Sequence, residues 1–216
     1  MNSPLRIAVL ASGRGSNLAA LIAARDAGTL PVKFVLVASD KASAGALRLA
    51  EATGIPTLAL NPKSYPDRAS FDRELFARIA ASGAELLVLA GFMRVIDGAV
   101  VAEWEGRAIN IHPSLLPKYP GLHTHRRCLE AGDAEHGASV HYVTAELDGG
   151  PVVAQARIPV GAADNEETLA ERLLAEEHRL LPAVVGAIAK GRLRWHGRAV
   201  FDGQPVAAPL SLEQLS

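Results

Sequence analysis

The segment Asn110-Ile111-His112-Pro113-Ser114 places an amide and an imidazole two residues apart. Along an extended chain that spacing points both side chains to the same side. An imidazole near its neutral pKa can pass a proton to or from an amine, and an amide N–H can hold the oxyanion of a tetrahedral intermediate. The pair therefore suits acyl transfer. Asp148, in the turn Asp148-Gly149-Gly150, adds a carboxylate that favours a protonated ring electrostatically wherever the chain brings the two together. Each feature also has a plainer reading, a hydrogen-bonded histidine at a strand end and an ordinary turn.

A second constellation is Ser12-Gly13-Arg14-Gly15-Ser16-Asn17, which follows an apolar β-branched run and precedes a helical pattern. A glycine turn there exposes backbone N–H groups at the positive end of the helix dipole, so Gly15, Ser16 and Asn17 are the expected phosphate cradle. The dinucleotide fingerprint wants glycine where Leu18 stands, although Asp40, after the next strand, keeps that reading open. His123-Thr124-His125-Arg126-Arg127 is expected to be a solvated helix start, because histidines two apart face different sides of a helix. Cys128, the only cysteine, is expected to be a small packed side chain. Arg68 and Arg94 are isolated charges of the kind that usually sits in solvent, although each follows a segment that approaches the sheet.

These residues need a frame, and the hydrophobic pattern supplies one. Residues 5–11, 32–38, 57–60 and 85–90 read as buried strands, with helices after the first three. The third of these helices is expected to be capped by Ser70 and to carry Phe71, Leu75, Phe76 and Ile79 on one face. Strands are expected again at 108–111, 139–143 and 151–158, then a long helix over 166–190 in which Pro182 marks a kink or break. Residues 193–196 and 198–201 form a small hairpin pattern, and 204–216 reads as a poorly ordered end. The alternation predicts an α/β, Rossmann-like, doubly wound, mostly parallel sheet of about seven strands flanked by helices, with ligands at the strand C-termini.

Composition narrows the function classes. Hydrophobic residues at 49 % and charged residues at 21 % fit a folded globular chain rather than a disordered one. A formal charge of -1 without a basic block argues against a nucleic-acid groove. A lone cysteine excludes a disulfide framework or a Cys-based metal cluster and suits a cytoplasmic protein. No apolar run is long enough for a membrane span, and residues 1–10 read as a first strand rather than a signal peptide.

The stretches 12–17, 90–94, 110–125 and 146–152 resemble the folate-dependent formyltransferases of purine synthesis, and the likeness covers nearly the whole chain. Its most specific part is Asn110-Ile111-His112-Pro113-Ser114-Leu115-Leu116-Pro117 with Asp148-Gly149-Gly150 downstream. The resemblance implies formyl transfer from 10-formyltetrahydrofolate to the amine of 5'-phosphoribosylglycinamide (GAR) by direct attack, with no metal and no covalent enzyme intermediate. By that likeness Asn110 stabilises the oxyanion, His112 assists proton transfer, and Asp148 orients His112 and raises its pKa. Gly15, Ser16 and Asn17 hold the GAR phosphate and Glu177 its ribose. Arg68, Met93, Arg94, Val95, Ile96 and Asn110 contact the folate, and the Asp148 turn flanks the pterin. The implied partners are these two small molecules, with neither nucleic acid nor membrane, in a monomer or homodimer. Residues 1–216 are expected to form one domain, with a phosphate-binding half to about residue 105 and a catalytic, folate-binding half beyond. Relatives that act on tRNA or hydrolyse the folate carry an extra domain for which this chain has no expected room.

Overall fold

A computed structural model describes residues 3–216. Met1 and Asn2, the first two residues of the expected opening strand, lie outside the described residues. Strands β1 (Leu5–Leu10), β2 (Val32–Ser39), β3 (Thr57–Ala59), β4 (Leu86–Leu89), β5 (Ala108–His112), β6 (Glu135–Tyr142) and β7 (Val152–Pro159) form one sheet in the order β3-β2-β1-β4-β5-β6-β7. The first five run parallel, whereas β6 pairs antiparallel with both β5 and β7. The doubly wound, mostly parallel architecture read from the alternation is the one observed.

Alternation along the buried strands explains their unbroken apolar sequence. Ile7 and Val9 enter one core while Ala8 and Leu10 enter the other, and Leu86, Val88, Leu87 and Leu89 divide in the same way. Helices α1 (Ser16–Asp26), α2 (Gly45–Ala52) and α6 (Glu166–Ala189) supply the first core, and α3 (Arg68–Ala81) and α4 (Gly98–Ala102) the second. Helix α5 (Thr124–Glu130) precedes β6.

Several boundaries differ from expectation for local reasons. Helix α3 starts three residues earlier than expected, because Asp67, not Ser70, is its cap; the Ser70 N–H donates to Asp67 Oδ1 at 2.7 Å. Helix α6 runs through Pro182 without a break. It begins at a capping box in which Asn165 and Thr168 satisfy each other's backbone N–H groups, with Glu166 and Glu167 in its first turn. The chain end is not poorly ordered. After the hairpin β8 (Leu193–Trp195) and β9 (Ala199–Phe201), β10 (Gln204–Pro205) adds a third strand and Leu210 bridges to Ala154 of β7. Leu210 and Leu215 are buried, and α7 (Leu212–Leu215) is held by Arg192, which donates to the Leu215 carbonyl at 3.1 Å and pairs with Asp202. Two leucines in a polar tail gave too weak a periodic signal to show this docking.

Leu173 of α6 is fully buried in the first core. Leu173→Ala is expected to lower unfolding stability by about 2–5 kcal/mol through a packing cavity. Chemical denaturation should show a lower midpoint with an unchanged slope.

Candidate active site

The switch from parallel to antiparallel pairing falls at β5, and it decides which side chains meet. In the β5–β6 register Asn110 lies opposite His141 and His112 opposite Ser139. The Asn110 amide Nδ2 is 3.1 Å from His141 Nε2. His141 Nδ1 lies 2.9 Å from the Tyr142 carbonyl, which can only accept, so Nδ1 carries a proton, and an Nε2 without one can accept an N–H of the Asn110 amide. One amide N–H of Asn110 is thereby committed, and the other is free.

His112 is buried and its Nε2 donates to the Tyr119 carbonyl at 2.9 Å. Its other nitrogen, Nδ1, faces Asp148 Oδ2 at 3.4 Å. Asp148 Oδ2 also accepts the Gly121 N–H at 2.8 Å, and its Oδ1 lies 3.6 Å from His141 Nε2. The expected meeting of Asn110, His112 and Asp148 is therefore observed, with His141 as a fourth member that no spacing argument had singled out.

The loops that carry these backbone contacts are themselves anchored. Ser139 Oγ donates to the Ser114 carbonyl at 2.7 Å and accepts the Leu116 N–H at 3.1 Å. Asp133 receives Lys118 Nζ at 2.9 Å and the Tyr119 hydroxyl at 2.7 Å. Asp148 itself has φ 51°, a left-handed conformation costly for a residue with a side chain. Gly150 lets that turn lie against β6, since a Cβ there would fall 1.8 Å from the Tyr142 carbonyl oxygen.

Burial pushes the His112 pKa below its ordinary 6.5, and the Tyr119 carbonyl and Asp148 offset this only in part. The expected upward pull of Asp148 is present, but desolvation outweighs it and the ring rests neutral at pH 7. For Asp148 burial acts in the opposite sense, upward, yet the His141 ring, the Gly121 N–H and His112 together hold its carboxyl below the usual value. The site thus pairs an ionised carboxylate with a neutral imidazole whose free nitrogen faces it.

A shallow recess of about 70 Å³ opens beside this cluster, lined by Leu89, Phe92, Arg94, Val95, Ile96 and Asn110, with residues 143–148 opposite. Of the expected folate contacts, Arg94, Val95, Ile96 and Asn110 are brought together. Met93, 63 % exposed, and Arg68, exposed in the first turn of α3, are not part of this lining. Arg94 is half-buried, with Cζ 5.0 Å from the centroid of the Phe71 ring, and is not the solvated charge its sequence context implied.

At the end of β1, Gly15 adopts φ 84° and a Cβ there would come within 2.7 Å of Ala46 Cα, so glycine is required. It leads into α1, whose first turn has no side-chain cap and leaves its N–H groups for an anion. Buried Asn17 donates to Glu177 Oε2 at 2.8 Å, while its Oδ1 is buried without a protein partner. Burial raises the Glu177 pKa against that hydrogen bond. Arg14, His125, Glu171 and Glu177 line a cleft of about 520 Å³ beside these groups. Asp40 is buried and accepts Ser12 Oγ at 2.6 Å. The dinucleotide alternative thus loses the free acid on which it rested.

His125 is not a solvated residue of a helix start; its Nδ1 lies 3.0 Å from Nε2 of the buried His136. Cys128 is buried, as expected of a packed side chain.

An α/β sheet whose parallel-to-antiparallel junction carries an amide, two imidazoles and a carboxylate, close to an uncapped helix N-terminus, defines a small-molecule transferase. The formyl transferase family matches residues 5–185. A phosphoribosylglycinamide formyltransferase of Escherichia coli (strain K12) is 48% identical over 201 residues, 93% of this chain and 95% of that protein. The trifunctional purine biosynthetic protein adenosine-3 of Drosophila pseudoobscura pseudoobscura is 46% identical over 191 residues, 88% of this chain and 14% of that longer protein. Among solved structures, the phosphoribosylglycinamide formyltransferase of Coxiella burnetii superposes with a TM-score of 0.92 at 45% identity, covering 96% of this chain and 99% of that one. This chain belongs to the formyl transferase family.

His136 is pushed down from 6.5 to about 4, first by burial and then by the neighbouring His125. The unfolded chain therefore takes up a proton that the folded chain refuses between those pH values. Stability from this site is fully present above pH 6.5 and is lost as pH falls towards 4, by about 1–3 kcal/mol. Denaturant titrations across that range should show the decline, and His136→Gln should flatten it.

Proposed function

We propose that this chain transfers the formyl group of 10-formyltetrahydrofolate to the amine of GAR, giving formyl-GAR and tetrahydrofolate in purine biosynthesis. The observation that carries this reading is the Asn110–His112–Asp148–His141 cluster set beside the recess at Arg94–Ile96. The likeness to curated and solved GAR formyltransferases over nearly the full length of the chain supports it. Among the described residues no helix is long and apolar enough to cross a membrane.

The residues present fit both small molecules. The N-terminus of α1 and the Gly15 turn, which a Cβ would fill, suit a phosphate. The unpartnered Asn17 Oδ1 and the buried Glu177 carboxyl are acceptors suited to ribose hydroxyls. The recess offers Leu89, Phe92, Val95, Ile96 and Val143 to a flat pterin. On this reading the phosphate turn lies in the N-terminal half, Asn110, His112 and Asp148 lie in the C-terminal half, and the folate recess draws on both, within one domain.

The GAR amine attacks the formyl carbon, and the bond from that carbon to the folate N10 then breaks. Asn110, its amide oriented by His141, directs its free N–H at the oxygen that becomes negative. His112 keeps Nε2 on the Tyr119 carbonyl, so a proton leaving the amine is taken at the nitrogen facing Asp148 and passed on to the departing N10. Asp148 stabilises the imidazolium in between and holds the ring in place. These groups act on charge that exists only during the reaction.

The test is absorbance-monitored formyl transfer with GAR, water alone or methionyl-tRNA as acceptor. GAR-dependent turnover is expected; formyl loss to water alone would mark a hydrolase, and transfer to the tRNA a different acceptor class. His112→Ala should lose about 10²–10⁴-fold in kcat, and Asn110→Ala about 10²–10³-fold, both with wild-type thermal midpoints. Near-wild-type turnover in His112→Ala would sink the assignment.

The pH profile gives a separate check. Since burial lowers the His112 pKa, kcat/KM should hold at neutral pH and fall only below 6.5, as the ring protonates. Asp148→Asn removes an upward influence on that pKa, so the acid limb should move to lower pH while kcat drops. A limb that stays in place would show that Asp148 does not act through His112.

A further inference from the structure

The nitrogen of His112 that must stay free of a proton faces a carboxylate. Asp148 Oδ2 lies 3.4 Å from Nδ1, and an ionised carboxylate can only accept, so by itself it draws the ring proton to that side. What opposes it is a second acceptor, the Tyr119 carbonyl, 2.9 Å from Nε2. The neutral ring has one proton, and the shorter contact holds it at Nε2. Whichever acceptor is better placed therefore decides which nitrogen is the base.

Tyr119 presents that carbonyl from φ 57°, a left-handed conformation that a residue with a side chain keeps only where its surroundings impose it. Its own side chain supplies the restraint. The phenol donates to Asp133 Oδ2 at 2.7 Å, and Asp133 also receives Lys118 Nζ at 2.9 Å on both oxygens, so one carboxylate holds two consecutive residues. Arg127 lies over the Tyr119 ring, its Cζ 5.1 Å from the centroid, and donates to the Pro120 carbonyl at 2.6 Å. Asp133 is itself fixed after α5, where its N–H donates to the Cys128 carbonyl at 3.3 Å. Its hydrogen bond pushes the Tyr119 hydroxyl up to about 12, so the phenol stays a donor at neutral pH. None of Asp133, Tyr119 and Arg127 lines the recess beside Asp148 or the cleft beside Gly15.

We propose that Asp133 is a positioning residue for His112: through the Tyr119 hydroxyl it holds the Tyr119 carbonyl on Nε2, and so keeps Nδ1 unprotonated against the pull of Asp148. Its effect on turnover rests on the formyl-transfer reading given above, whereas its effect on the ring does not.

Nitrogen NMR of the isotope-labelled protein, recorded without substrate at neutral pH, reads the His112 tautomer, with the signal assigned by its loss in His112→Ala. The wild type is expected to show a protonated Nε2 and a bare Nδ1. In Asp133→Ala the proton should move to Nδ1. Turnover should then fall about tenfold in kcat, the scale of one hydrogen bond to a charged group, with KM for both substrates unchanged. Tyr119→Phe should do the same, and the two changes together should lose no more than either alone. Asp133→Asn, which keeps an acceptor for the phenol, should restore the wild-type tautomer. A proton that stays on Nε2 in Asp133→Ala and Tyr119→Phe, or that sits on Nδ1 in the wild type, would overturn the proposal. A rise in KM with kcat unchanged would overturn it too. Should Asp133→Ala fail to fold, Tyr119→Phe leaves the Asp133–Lys118 pair intact and gives the same readout. A wild type without GAR-dependent turnover would overturn the formyl-transfer reading alone, because the tautomer is read without substrate.

Discussion

The antiparallel register between β5 and β6 is the contact on which the site depends. It sets Asn110 against His141, and a slip of one residue would turn Asn110 and His112 away from the ring they share a face with. The same pairing determines where the chain leaves β6, and so where the following turn can return. Gly150, pressed on the Tyr142 carbonyl, brings Asp148 back over the strand ends, between the two histidines. A parallel β6 would have required a long crossover and carried that turn to the far edge of the sheet.

The parallel half of the sheet contributes a different resource, helix N-termini at strand C-terminal edges. Gly15 opens one of them, and the Asn17–Glu177 pair joins α1 to α6 beside it. Ser12 links this region to the recess: its hydroxyl donates to Asp40 and accepts the Met93 N–H at 3.0 Å. One side chain thus ties the turn after β1, the end of β2 and the segment carrying Arg94 into a single frame.

Asp148, Glu177 and Asp72 are buried carboxyl groups, and each is a cost in a fold that otherwise fills two cores with aliphatic side chains. Asp148 lines the recess, Glu177 lines the cleft beside Gly15, and Asp72 accepts the Asp97 N–H at the start of α4. The continuous packing of β1, β4 and β5 against α6 and α3 offsets that cost. Rigid strands then hold the reactive groups where a loop alone would let them drift.

Much of this was legible in the sequence. The period of the apolar residues determined the order of strands and helices, and the types at 110, 112 and 148 were those an acyl-transfer chemistry would use. The glycine turn before α1 was likewise legible, because its physics is local to a few consecutive residues. What depended on distant partners was not legible. His141 is one histidine among seven until β5 and β6 pair, and Asp72 is one acid on a helix until the Asp97 N–H meets it. The tail from 204 onward looked loose because its anchors, Ala154 and Arg192, lie elsewhere in the chain. The sequence by itself determined which groups and which elements are present. Only the tertiary structure decided that burial leaves His112 neutral despite Asp148, because desolvation is set by everything packed around a group and not by its neighbours along the chain.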